Sequence, residues 1–199
     1  MVEAERMMTA ERGRPPWLAI VAGALALALV AALAALWLGR APGEGSAEVV
    51  FVRDMLAHHE QAVEMALLIR DRSADPDLRA LATDILLGQQ SQIGRMAGWL
   101  EQWGRPYAGA EAPMGGMGQM MGMAGQADVN ALGTLPVAEA EVQFLQLMIT
   151  HHQGAVFMAE DLLAGRARPE VARLAEGVLR GQAAEIGLLE ELLARRGAE

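Results

Sequence analysis

Hydrophobic and polar positions along the chain fall into three regimes. From Trp17 to Leu38 an apolar run of 22 residues carries no charge, enough at about 1.5 Å per residue to cross a hydrocarbon core of ~30 Å as one helix. From about residue 48 to 104, and again from 144 to 197, apolar residues recur at helical spacing with polar ones between them. Between these two stretches, from Gly104 to Pro136, the sequence is rich in glycine and methionine, a composition that disfavours a helix. No stretch alternates in the way a strand does, so the predicted class is all-α.

The two helical stretches are copies of each other. Adding 93 to Phe51, Met55, His58, His59, Ala62, Val63, Met65 and Ala66 gives Phe144, Met148, His151, His152, Ala155, Val156, Met158 and Ala159, identical at all eight positions. The same offset aligns Pro76 with Pro169, Leu81 with Leu174, Gln89 with Gln182 and Ile93 with Ile186. Within each copy a proline marks a second helix start; Asp75 before Pro76 has the form of an N-cap followed by proline at the first helical position. Each copy is therefore a predicted helical hairpin. Two hairpins that cannot bury their apolar stripes alone would do so against each other, giving a four-helix bundle with an approximate internal two-fold axis. The expected organisation is a cytoplasmic tail over 1–16, a transmembrane anchor over 17–38, a linker over 39–47 and a bundle over 48–197. Within the bundle the repeats cover 51–104 and 144–197, joined by a Met/Gly-rich crossover over 105–135.

Charge refines this picture. All sixteen basic residues are arginine, and after residue 45 twelve of them face twenty-one acidic residues, which argues against a nucleic-acid groove. Arg12 and Arg14 precede the apolar run closely and only Arg40 follows it closely. The positive-inside bias then puts the N-terminus in the cytoplasm and the bundle outside. The absence of cysteine excludes disulfides, thiolate metal sites and thiol catalysis.

Candidate chemistry lies on the repeated stripe. At about 100° per residue, Phe51, Met55, His58, His59, Ala62, Met65 and Ala66 share a face roughly 120° wide, while Glu60 and Glu64 fall opposite and should be solvated. That face combines two imidazoles with two thioethers, and the third bundle helix repeats it with Met148, His151, His152 and Met158. The candidate metal ligands are thus His58, His59, His151, His152, Met55, Met148, Met65 and Met158. The two histidines of each pair straddle the centre of the stripe, which leaves open which one ligates.

The inward stripe of the second helix, Leu78, Leu81, Ala82, Ile85, Met96 and Leu100, also contains Gln89 and Gln92. A buried amide without partners costs on the order of 1–3 kcal/mol, so these glutamines should bond an imidazole N–H, as should Gln182 and Glu185 in the second repeat. Glu185 makes the halves chemically unequal. In the crossover, Met114, Met117, Met120, Met121 and Met123 form a candidate soft-metal loop. Ferritin-type iron needs inward carboxylates with Glu-x-x-His spacing, and zinc prefers Cys, His or carboxylate closure. Histidine plus methionine without cysteine fits copper best, as Cu(I) or Cu(II), with zinc and silver as alternatives.

On the frame Met55-x-x-His58-His59-x-x-Ala62, its repeat Met148-x-x-His151-His152-x-x-Ala155, and the Gln89/Ile93 and Gln182/Ile186 pairs that follow, the chain resembles the domain of unknown function 305 family. The resemblance covers about residues 48–197. It implies a ferritin-like fold, export or membrane anchoring in bacteria, and copper binding and resistance in some members. It carries over to His58, His59, His151, His152, Met55 and Met148, and implies no catalysis. The expected function is a plasma-membrane-anchored, extracytoplasmic copper-binding protein, for sequestration, resistance or transfer to a copper-exchange partner. Self-association is open. The alternatives are a metal-dependent oxidoreductase on the same residues and a metal-free structural or signalling bundle.

Overall fold

The computed structural model describes residues 16–108, 118 and 120–197, with the side chains of 16 and 34–38 outside the description. Six helices follow in order: α1 (Pro16–Leu38), α2 (Ala47–Arg72), α3 (Pro76–Gln102), α4 (Gln126–Ala131), α5 (Val137–Ala164) and α6 (Pro169–Gly197). No strand occurs among the described residues. The chain divides after Arg40 into two compact units, α1 and the bundle. Among the described residues no helix is long and apolar enough to cross a membrane, so the anchor expected over 17–38 is without structural support. The tail expected over 1–16 lies almost wholly outside the described residues.

Local chemistry sets the helix ends. Ser46 caps α2 through its hydroxyl, which accepts from Val49 N. Asp75 caps α3 by accepting from Asp77 N at 2.9 Å and Leu78 N at 3.3 Å, with Pro76 in the first turn. Gly104 ends α3 at φ +63°, and Arg105 N reaches back to Leu100 O, the left-handed termination that glycine allows without strain. The expected linker belongs partly to the bundle unit: Pro42 O accepts from Arg105, and Glu44 pairs with Arg53.

Helices α2 and α3 form one hairpin and α5 and α6 the other. The hairpins meet chiefly along α2 and α5, whereas α3 and α6 touch only lightly. Two equivalent glutamates lock them together. Glu48, near the start of α2, accepts from the backbone N–H of Arg168 in the opposite hairpin's turn and pairs with its guanidinium. Glu141, its mate at the offset of 93, accepts from Ser73 Oγ at 2.6 Å in the first hairpin's turn and from Arg196. The apolar interior is split in two. One cluster joins the start of α2, the end of α3, the end of α5 and the start of α6; the other joins the opposite ends and takes in Val129 and Leu132 at α4. The two-fold axis exchanges them, and the histidines lie between.

The crossover, whose composition disfavours a helix, nevertheless contains α4 and, before it, a strap tied to the bundle. Gln61 grips Ala124 twice, its Nε2 donating to the carbonyl at 3.0 Å and its Oε1 accepting from the N–H at 2.8 Å. The repeat mate of Gln61 is Gly154, and there the strap backbone presses on α5: a Cβ on Gly154 would sit 1.8 Å from Met121 O. Gly122, at φ +79°, faces Thr150 O in the same way, 2.3 Å from where its Cβ would be. Both contacts are with backbone, so a side chain cannot be accommodated by a rotamer change. Replacing Gly154 by Ala is expected to destabilise the protein by about 1–3 kcal/mol through overpacking and to lift the strap from α5. Hydrogen exchange at Met121–Ala124 reads the second effect, and unchanged protection there would refute the close approach.

Candidate metal centre

Helices α2 and α5 cross at the two central histidines. The rings of His58 and His151 stack with centroids 3.7 Å apart and planes inclined by 35°. His59 and His152 flank them, their ring centroids 6.5 Å from His58 and 6.4 Å from His151 respectively. All four side chains have no exposure to solvent.

Three of the four imidazoles donate Nε2–H to an acceptor. His58 donates to Met121 O of the strap at 2.9 Å, His59 to Gln92 Oε1 at 2.6 Å and His152 to Glu185 Oε2 at 2.7 Å. A carbonyl or carboxylate oxygen can only accept, which fixes the Nε2–H tautomer and leaves a lone pair on Nδ1. The Nδ1 atoms of all four histidines, and Nε2 of His151 as well, have no hydrogen-bond partner. Gln89 and Gln182, expected to bond an imidazole, do not: both amide atoms of each are buried and unpartnered. Nine unpartnered nitrogen and oxygen atoms thus belong to six residues of these two repeated sets. Glu60 and Glu64 point to solvent, so among the candidate residues the acceptor carboxylate comes from Glu185 alone, whose side chain is 26% exposed.

Burial keeps three of the rings neutral. It pushes His58 down to about 4, with the Met121 carbonyl offsetting part of the effect, and His59 down to about 3, where Gln92 does the same. His151 is driven well below the ordinary histidine range by burial and then by the neighbouring imidazoles. At neutral pH these three are uncharged donors of lone pairs.

The methionines divide by end. Met55 and Met158 lie in the first apolar cluster, where Met96 joins them and the strap residues Met121 and Met123 pack on. Met65 and Met148 lie in the second. Met96 is fully buried, and it was read from the sequence as core only; its repeat mate is Leu189, so the first cluster carries a thioether the second lacks. Met120 is 80% exposed, while Met114 and Met117 lie outside the described residues. Sequence reasoning also missed Gln61 and Gly154, although their mismatch, in a stretch of the repeat where six of nine positions are identical, was the available signal.

Among the described residues no group of three or more His, Cys, Asp or Glu is placed to hold a metal ion. Nor can the central pair share one as they stand. With metal–nitrogen bonds of about 2.0 Å, each ring centroid lies roughly 3 Å from the ion, and even a right-angled pair separates the centroids by about 4.5 Å. That exceeds the observed 3.7 Å. The donor set itself fits copper: neutral imidazoles with oriented tautomers, unpartnered Nδ1 lone pairs and thioethers on either side.

A four-helix bundle with a buried, duplicated histidine layer is the class of protein that fold and site define. The family model described as a domain of unknown function, DUF305, matches residues 48–193, and the chain belongs to that family. A DUF305 fragment from Deinococcus radiodurans is 45% identical, with TM-score 0.70, covering 77% of this chain and 99% of its own. A Streptomyces coelicolor DUF305 protein, described as secreted, is 46% identical with TM-score 0.71, covering 76% and 94%. CopM in its Cu(I)-bound form is 30% identical with TM-score 0.62, covering 75% and 96%; it has also been solved with Cu(II) and silver. An uncharacterised protein of Acanthamoeba polyphaga mimivirus is 36% identical over 52 residues, a match that spans 34% of that protein's length.

The depressed histidines make stability depend on pH. His58 and His59 titrate at about 6.5 in the unfolded chain and at about 4 and about 3 in the fold, and His151 is lowered as well, so in between the unfolded state binds more protons. Their contribution is complete above the unfolded value and is lost as pH falls through this window, on the order of several kcal/mol in all. The thermal midpoint of the metal-free protein should hold steady above about pH 7 and fall steeply between pH 6.5 and 4. A midpoint constant across that interval would mean that the rings are hydrated.

Proposed function

We propose that the bundle binds copper at the histidine layer and sequesters it, or passes it to a partner protein, outside the cytoplasm. One observation carries this reading: fully buried imidazoles, three with Nε2–H held by an acceptor, whose Nδ1 atoms have no partner inside the protein. Leaving a buried polar group unpaired costs about 1–3 kcal/mol, and a fold that does so repeatedly at one level has a ligand to satisfy there. In metal sites a ligating histidine characteristically donates its other N–H to a carbonyl or carboxylate, the arrangement adopted by His58 and His152. The solved copper and silver forms of CopM support the choice of metal.

Met55 and Met148, one turn before each histidine pair and fully buried, are the thioethers best placed in sequence to complete Cu(I) coordination. The reading is a binding module, the role that buried imidazoles and thioethers support. An N-terminal anchor completes the proposal, supported by the uncharged run from Trp17 to Leu38 and by the exposed apolar side chains of α1.

Anaerobic Cu(I) titration of the full chain against a competing chelator tests the site, with Ag(I) as a redox-inert second probe. His58→Ala with His151→Ala should weaken binding by more than about tenfold, and Met55→Leu with Met148→Leu by less. Circular dichroism must show that each variant keeps its helices. Undiminished affinity in folded histidine variants would remove the layer as the copper site.

A further inference from the structure

The two halves of the histidine layer repeat the same histidines, buried methionines and glutamines, and the acceptor of the outer histidine differs between them by one charge. The offset of 93 pairs His58 with His151, His59 with His152, Met55 with Met148, Ala62 with Ala155 and Gln89 with Gln182, identical residues in every case. Burial agrees between halves: Met55 and Met148 are fully enclosed, and Gln89 and Gln182 are each 3% exposed. The residue that accepts from the outer histidine is the exception. His59 meets the amide oxygen of Gln92 at 2.6 Å, and His152 meets the carboxylate of Glu185 at 2.7 Å. Position 92 plus 93 is 185, so an amide and a carboxylate occupy the same place against the same nitrogen.

The consequence follows from electrostatics. An amide and a carboxylate both fix the Nε2–H tautomer and present Nδ1. Only the carboxylate adds negative charge, and it does so through a histidine that is wholly buried, where the attraction is weakly screened. The attraction of a fixed negative charge for a dication is twice that for a monocation at the same distance. Hydrogen bonding to a carboxylate also makes the imidazole a stronger base, which favours the harder, more highly charged ion. Thioethers on both sides serve the softer ion in either half.

We propose that Glu185 makes the two halves unequal in oxidation-state preference, the His152 half favouring Cu(II) and the His59 half Cu(I). Glu185 acts as a positioning and specificity residue, through His152. This rests on the copper-binding reading of the layer and deepens it.

The protein contains its own control, because Gln92 shows which residue the position accepts without disturbing the fold. Glu185→Gln gives the second half the same acceptor amide as the first, and Gln92→Glu gives the first half the carboxylate of the second. Cu(II) affinity of the full chain is measured by chelator competition, with electron paramagnetic resonance reporting nitrogen coordination. Cu(I) affinity is measured anaerobically. Glu185→Gln should weaken Cu(II) by about 10–100-fold while Cu(I) changes by less than about threefold. Gln92→Glu should add a second nitrogen-coordinated Cu(II), a gain that misfolding cannot produce.

If the wild type binds both ions at the histidines and the two variants leave the Cu(II)/Cu(I) preference unchanged, the proposal is overturned while copper binding stands. Equal weakening of both ions by Glu185→Gln, without a gain in Gln92→Glu, would also overturn it and reduce Glu185 to a structural support. If the wild type binds neither ion, or binds both after the histidines are removed, both readings fall.

Discussion

Desolvation of four imidazoles at the crossing of α2 and α5 is the constraint to which the rest of the bundle answers. Nine unpartnered polar atoms there each oppose folding, at about 1–3 kcal/mol for a buried group left without a partner. Two apolar clusters, one on each side, offset them. The alanines Ala62, Ala66, Ala155 and Ala159, all fully buried, line the contact between the hairpins, where larger side chains would hold the helices apart. Glu48 and Glu141 then fix the register from opposite ends, each reaching the other hairpin's turn. Stability is thus gathered above and below a layer that supplies little of its own.

Internal duplication would give a site with two equal faces, and the strap prevents that. A single crossover can cover only one side of a two-fold axis. It is received by Gln61 on α2 and by Gly154 on α5, the same position in the two repeats put to opposite uses. A side chain that grips backbone serves at one place, and the absence of a side chain serves at the other. His58 gains the Met121 carbonyl from this arrangement, while its mate His151 has no partner on either nitrogen. The strap also brings Met121 and Met123 onto the cluster that already holds Met55, Met96 and Met158, so the asymmetry extends to the supply of sulfur.

Much of the scaffold could be read from the sequence because it is written in periodicity. The Asp75–Pro76 start, the second start at Pro169, the solvated Glu60 and Glu64 and the inward stripe of α2 all follow from spacing along a single helix. Features that need the relative register of two helices could not be read in that way. The stacking of His58 on His151 depends on where α5 crosses α2, as does the division of the methionines between two ends. Gln89 and Gln92 were both expected to bond an imidazole because both lie on the inward face; Gln92 does so, opposite His59, and Gln89, one turn before, does not. Helical geometry identifies the face and leaves the partner to the register of the neighbouring helix. The strap escaped for another reason: its hold consists of backbone contacts, which composition does not encode.

The stacked central pair bears on how many ions the layer can hold. Two rings at 3.7 Å cannot bind one ion between them, so bridging His58 and His151 would require the rings to part. His58 is held against such movement by the Met121 carbonyl, and that carbonyl is held in turn by the close approach of the strap to Gly154. Separating the rings therefore means moving the strap, whose glycines leave no slack toward α5. The flanking histidines have no such obstacle. His59 and His152 each have their own acceptor at Nε2 and their own unpartnered Nδ1. The geometry thus favours two half-sites divided by the stacked rings over one shared centre, and two half-sites can differ in chemistry where a shared centre could not.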